Sequence, residues 1–269
     1  VWQSYWKLGR DPFAADSSPY VALPEHEEAV SRLEQVVASG QHWGWMTGPP
    51  GVGKTRGLAR ALASLRSPAR RIAITRDPFD GAELYAKLAE GLGLRLPPGA
   101  DRGTAWRALE RAVRLCGVQN QQVVLAVDGA EALLEGPARQ DLLRLGGLGQ
   151  GLGSRLTILI VGNEGGAAET PSESAWGPAV RLGPLLLADA HRYLEEKLAA
   201  AGCRDALFSP RAIVRLHLLS EGTPRGLDRL ASLSLRAAAS RGMEAVSSEL
   251  VDAVSAGTPV GVDRHPGSC

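Results

Sequence analysis

The eight residues GPPGVGKT, 48–55, constrain this chain more than any other stretch. They match G-x-x-x-x-G-K-[ST], the phosphate-loop or Walker A pattern, in the setting that pattern requires. The apolar run HWGWMT (42–47) reads as a buried strand before them, and TRGLARALASLR reads as an amphipathic helix after them. Glycines let successive main-chain N–H groups curl round a phosphate with no Cβ in the way, and the helix N-terminus adds positive potential. The spacing predicts that Gly48, Pro49, Pro50, Gly51, Val52, Gly53, Lys54, Thr55 and Arg56 bind a nucleotide. Lys54 would reach its β- and γ-phosphates, and the Thr55 hydroxyl would serve Mg2+.

Strands and helices alternate on both sides of the loop. Residues 26–39 show helical spacing at Val30, Leu33, Val36 and Val37, with Gly40 as a stop signal. RRIAITR (70–76) reads as a second strand, and Asp80 as the N-cap of a helix to about Leu92. Pro97, Pro98 and Gly99 make a loop before a helix over roughly 102–116, and QVVLAVD and RLTILIVG (155–162) supply a third and a fourth strand. Parallel strands need long crossovers, and burial on both sides gives near-continuous apolar runs, so residues 40–190 predict an α/β fold with a parallel sheet covered on both faces. From about residue 188 the strands stop and a run of helices follows, opened by Ser, Thr, Asp or Pro and mostly closed by Gly. The expected organisation is an α/β nucleotide-binding domain with its lead-in over 1–187, a small helical domain over 188–256 and a loose tail over 257–269.

Composition narrows the class. The 44% hydrophobic content can fill a substantial core, and Lys plus Arg (30) nearly balances Asp plus Glu (29), so there is no global pull toward nucleic acid. Cys116, Cys203 and Cys269 form no CxxC pair, which suggests neither a zinc site nor a disulfide framework and fits a reducing cytoplasm. No apolar run approaches the roughly 18–20 residues needed to cross a bilayer, and VWQSYWKLGRDPF lacks the order of a signal peptide, so a soluble chain without membrane insertion is expected.

VVLAVDGAEALL (123–134) ends its strand on Asp128, where the carboxyl edge of a parallel sheet presents ligands; Asp128 is the natural second partner of Mg2+. The next residue is Gly129, which can neither accept a proton nor orient water. Glu131 takes that part if the turn folds back, and Glu164 is the other carboxylate in place for it; either can equally be a solvated surface group.

In order, YWKLGRDPF, GPPGVGKT, VVLAVDGAEAL, ILIVGNE, RLGPL and EGTPRGLDRL resemble the AAA+ ATPase of the general secretion pathway protein A (ExeA) type, a layout shared by the related transposition ATPases. The resemblance covers about residues 3–254. It implies an ATP-binding P-loop NTPase (AAA+) core with a helical lid, often oligomeric, with ATP and Mg2+ as cofactors. Carried over by position, it puts Asn163 at the sensor 1 polar residue and Arg225, in GTPR, at sensor 2. Arg225 also stands out physically, because Thr223 as N-cap and Pro224 at the first helical position leave a cation in the opening turn, where the dipole disfavours it by roughly 0.3–1 kcal/mol. The γ-phosphate or Asp228 would offset it. The lead-in resembles a segment beside the nucleotide base, which makes Phe13, Tyr20 and Val21 either adenine neighbours or buried anchors of the first helix.

Two departures stand out. The family reads Asp-Glu-Ala-Gln where this chain has Asp128, Gly129, Ala130 and Glu131, and Arg181 is the sole arginine left ahead of LGPL to act as a finger. Lys54, Asp128, Asn163 and Glu131 form the expected catalytic set. Binding does not depend on Gly129, whereas hydrolysis needs an oriented water, so the expected function is a nucleotide-gated switch with weak or partner-dependent turnover, acting with a protein partner or further copies of itself. The alternatives are an active motor of a secretion system and an ATP-dependent DNA-binding regulator; residues 54–76 carry Lys54 and six arginines with no acid. Relatives in secretion often continue into a membrane span and a wall-binding region, and this sequence runs to Cys269 with neither, which turns the expectation away from a direct role in secretion.

Overall fold

The structure, a computed structural model, describes residues 2–14, 19–134, 136–148, 155–164 and 179–257. They divide into two compact units, one built on Pro24–Gly183 and one on Val1–Leu23 with Pro184–Cys269.

In the first unit five strands, β1 (Trp43–Gly48), β2 (Arg70–Arg76), β3 (Gln122–Asp128), β4 (Leu156–Asn163) and β5 (Ala179–Arg181), form one sheet in the order β2-β3-β4-β1-β5. Every pairing is parallel. The continuous apolar strands are explained by their two faces. Val123, Leu125 and Val127 of β3 share one face with Trp45, Ile158 and Ile160, while Val124 and Ala126 share the other with Met46, Leu159 and Val161. Helices α2 (Pro24–Ala38) and α3 (Lys54–Ser64) cover the second face through Val30, Leu33, Val37, Leu58 and Ala61. The first is covered by α4 (Gly81–Gly91), α5 (Arg102–Val118) and α6 (Gly136–Leu145) through Leu84, Leu88, Leu109, Val113 and Leu142.

Polar contacts fix these helices in register. Asp80 Oδ1 accepts the Glu83 N–H at 2.9 Å, and Asp101 Oδ1 accepts that of Thr104 at 2.6 Å, so α4 and α5 each open on a side-chain cap. Asp141 of α6 is buried, accepts the Tyr85 hydroxyl at 2.8 Å and pairs with Arg102, joining three helices at one carboxylate. Burial, then that hydrogen bond, pushes the Tyr85 phenol above its ordinary pKa.

The second unit is helical: α1 (Trp2–Tyr5), α7 (Leu187–Ala200), α8 (Pro210–Leu219), α9 (Pro224–Ser240) and α10 (Ser248–Gly257). Its core includes Trp6, Leu8, Phe13, Val21 and Leu23 from the lead-in, packed with Tyr193, Leu216, Leu227 and Leu235. Trp6 Nε1 donates to the Leu235 carbonyl at 3.0 Å. This corrects the expected division at 187: the lead-in completes the helical core, because its apolar side chains find their neighbours there. Lys197, fully buried, donates to both oxygens of Asp228 at 2.6 and 2.7 Å, a charge made tolerable by its partner. The tail expected over 257–269 lies outside the described residues beyond Gly257, where α10 ends.

Because the strands are parallel, Gly48, Asp128 and Asn163 arrive at the same carboxyl edge of the sheet; Gly48 is opposite Asn163, and Asp128 opposite Val161. The core that holds this edge is tightly closed, so Leu125→Ala, at a fully buried central position, is expected to cost about 2–5 kcal/mol in urea unfolding.

Candidate functional site

The loop between β1 and α3 has the backbone its glycines imply. Gly51 and Gly53 have φ of 83° and 105°, in the region that L side chains rarely adopt. At Gly48 the reason is space, since a Cβ would lie 2.1 Å from the Leu182 carbonyl oxygen as the chain leaves β5. A Cβ at Gly53 would meet His26 Nε2 at 2.9 Å. His26, buried on α2, stands 2.9 Å from the Val52 carbonyl; a carbonyl only accepts, so Nε2 carries the hydrogen and props the loop from below. The sequence reading missed His26, although it lies four residues before Val30 and so on the same buried face of α2.

Lys54 is the centre of the site. Its ammonium donates to the Gly48 carbonyl at 2.8 Å, the Pro49 carbonyl at 2.9 Å and Asn163 Oδ1 at 2.8 Å. The Thr55 hydroxyl donates to Asp128 Oδ1 at 3.2 Å, so the two residues expected to serve Mg2+ stand together. Asp128 is buried, and that burial raises its pKa; Thr55 pulls it down, Asp77 pushes it up, Arg76 lowers it and Glu131 raises it. Arg76 Nε stands 4.0 Å from Asp128 Oδ2. Among the described residues no group of three or more His, Cys, Asp or Glu is set to hold a metal. A hydroxyl beside a single desolvated carboxylate is instead a donor set suited to Mg2+ shared with phosphates, which takes few protein ligands.

The turn after Asp128 explains the glycine there. Gly129 has φ 72°, and a Cβ on it would stand 1.9 Å from Asp77 Oδ1. The N–H groups of Gly129 and Ala130 both donate to the Val161 carbonyl, at 3.0 and 3.1 Å, which bends the chain back across the end of β4. Glu131 is carried with it, and its Oε1 accepts the Asn163 N–H at 2.7 Å. Lys54, Asn163 and Glu131 are thus linked in sequence. Glu164 follows another course: its oxygens take Arg181 Nε at 2.6 Å and Nη2 at 2.8 Å. Glu164 and Arg181 therefore satisfy each other, and Glu164 raises the pKa of Arg181.

Of the remaining expected residues, Pro49 and Val52 lie in the loop, Val52 fully buried, while Pro50 is exposed and Arg56 is partly buried on α3. Arg225 lies in the helical unit, exposed in the first turn of α9 behind the Thr223 cap, whose hydroxyl oxygen accepts the Gly226 N–H at 3.3 Å. Asp228 is engaged by Lys197 and by the Tyr193 hydroxyl. Phe13 and Val21 are buried in the core of the helical unit, Phe13 with its ring 6.4 Å from that of Phe208. Tyr20 is partly buried.

Residues 37–169 match the family model described as AAA domain. The chain is 25% identical over 256 residues to the general secretion pathway protein A of Aeromonas hydrophila, covering 90% of this chain and 46% of that protein, so it spans about half of that relative's length. Among solved structures it is similar to Cdc6p from Pyrobaculum aerophilum (TM-score 0.72, 20% identity, 93% of this chain and 71% of that one). It is also similar to the Aeropyrum pernix ORC1 protein in complex with DNA (TM-score 0.69, 20% identity, 91% and 68%). At such identities these likenesses carry the fold, which is the α/β fold of AAA+ P-loop proteins, and not the ligand.

Restoring the family's glutamate directly after Asp128 should fail. Gly129→Glu places a side chain at positive φ, against Asp77, beside an already desolvated carboxylate. The expected result is a loss of about 1–3 kcal/mol in thermal or chemical unfolding, with no gain in phosphate release.

Proposed function

We propose that this AAA+ module captures ATP with Mg2+ and acts as a nucleotide-gated switch whose hydrolysis is slow or depends on a partner. The observation that carries this reading is the Lys54 ammonium, held at once by two carbonyls of the glycine-rich loop and by Asn163 at the end of β4. A cation kept at the mouth of such a loop is suited to phosphate oxygens, and the backbone of residues 48–55 is the surface that would receive them. Thr55 and Asp128 would hold the metal, which offsets phosphate charge when bound. The raised pKa of Asp128 supports this, since a carboxylate disfavoured in its charged form gains from a cation beside it.

Slow turnover rests on the groups around the end of β3. Gly129 has no side chain to orient water, Glu131 spends one oxygen on Asn163, and Glu164 and Arg181 are occupied with each other. A positioned base contributes about 10²–10⁴ in rate, so its loss moves a turnover of this kind far down. Assembly with a protein partner or with further copies of the chain is the proposed route by which the gated state is read. One observation favours a second reading, an ATPase switched on by assembly: the turn that excludes a side chain at 129 delivers Glu131 to Asn163, where a small shift would aim its free oxygen at a water.

The isolated protein is expected to bind ATP in the micromolar range, about −8 kcal/mol, and Lys54→Ala to abolish that binding. Its turnover should fall well below the roughly 1–10³ s⁻¹ of ordinary enzymes. Glu131→Gln should keep binding and leave the low phosphate release unchanged; a drop of about 10² instead supports the second reading, in which Glu131 acts as the base. Unchanged affinity in Lys54→Ala rejects the capture site; brisk steady-state release by the isolated protein rejects the switch in favour of an active ATPase.

A further inference from the structure

The arginine-rich run 54–76 contributes one lysine to the loop and six arginines elsewhere, and three of these come together at the opposite edge of the sheet. Arg66, Arg70 and Arg71, with Ser67, Ile72 and the turn Gly91–Gly93, line a cavity of about 370 Å³. Arg70 begins β2, whose other end, Arg76, is opposite Asp128. The length of that strand, roughly 20 Å, separates the cavity from the nucleotide edge.

The way the guanidinium groups are held is informative. Arg70 Nε donates to Gln122 Oε1 at 2.9 Å, and Arg71 Nε donates to Gln121 Oε1 at 3.1 Å. Each glutamine is anchored in turn, Gln122 Nε2 on the Val37 carbonyl at 2.8 Å and Gln121 Nε2 on the Pro68 carbonyl at 2.9 Å. Neutral acceptors therefore fix the orientation of both arginines and leave their charge uncompensated. No carboxylate is among the residues that line the cavity, and among the described residues Arg66, Arg70 and Arg71 take part in no ion pair. Arg32, Arg76, Arg102, Arg114, Arg181, Arg192, Arg215 and Arg236, by contrast, each have an Asp or Glu partner. The three residues share a cavity whose lining offers no counter-charge, so an anion there is electrostatically favoured.

We infer that Arg66, Arg70 and Arg71 form a second anion site, independent of the nucleotide loop, that takes phosphate groups which together carry at least two negative charges. The guanidinium fork suits phosphate oxygens in pairs, and Ser67 adds a hydroxyl donor at the rim. The phosphates come either from a free polyphosphate-like anion or from the backbone of a nucleic acid, which share this chemistry.

The test uses the full chain carrying Lys54→Ala, so that the nucleotide loop does not contribute, and inorganic tripolyphosphate as the probe, titrated at low and at moderate salt. Saturable binding that weakens with salt is expected. Arg70→Gln/Arg71→Gln should weaken it about tenfold or more. Gln121→Glu/Gln122→Glu should do the same by placing carboxylates against the same two guanidinium groups at almost constant shape, with circular dichroism and melting temperature showing that both variants stay folded. A short DNA duplex that displaces the probe identifies the phosphodiester backbone as the source; a duplex that does not identifies a small free anion. No saturable binding at low salt, or binding that both folded double variants retain, overturns the site.

Discussion

One ammonium group ties the loop to the sheet, and the rest of the site is arranged around it. Lys54 sits at the start of α3 and reaches two carbonyls of the loop that precedes it, while its third contact is a side chain at the end of a different strand. That third contact exists because β1 and β4 are neighbours in register, with Gly48 opposite Asn163. A parallel sheet with this strand order therefore does more than bury apolar side chains. It brings a cation, a hydroxyl, a carboxylate and an amide to one edge from three places in the chain.

The position after Asp128 shows how a single residue redirects a site. A glycine there permits φ of 72° and lets Asp77 approach to a distance that no Cβ allows. The backbone then folds over the end of β4, with two N–H groups on one carbonyl, and the first carboxylate to follow lands on the Asn163 amide. The departure from the family pattern is thus a different turn as well as a missing side chain. Glu131 cannot be judged by counting from Asp128; its place is set by the hydrogen bonds of Gly129 and Ala130.

Much of this was legible in the sequence, for reasons that can be named. Loop glycines, the strand ends Asp128 and Asn163, and the caps Asp80 and Thr223 are local signals, each with a chemical requirement met within a few residues. Helix α6 is not legible in the sequence, because a polar ten-residue helix carries little periodicity. The lead-in was placed with the wrong unit because its order in the chain says nothing of where Trp6, Leu8 and Phe13 find their apolar neighbours, which come from residues 185 and beyond. The pairing of Glu164 with Arg181 is likewise hidden in the sequence, since the two lie 17 residues apart and meet only where β4 and β5 flank β1. His26 was within reach, one helical turn before a valine already assigned to the core, and was passed over because it is polar.

The central claim is that the main-chain amides of residues 48–55, with Lys54, receive the phosphates. Hydrogen exchange followed segment by segment, with and without ATP and Mg2+, tests it most directly. The account predicts slowed exchange in the segment spanning 48–56, at saturating nucleotide, in the unaltered chain and not in Lys54→Ala. Exchange in that segment that is indifferent to nucleotide, or protection that survives the loss of the lysine, would contradict it.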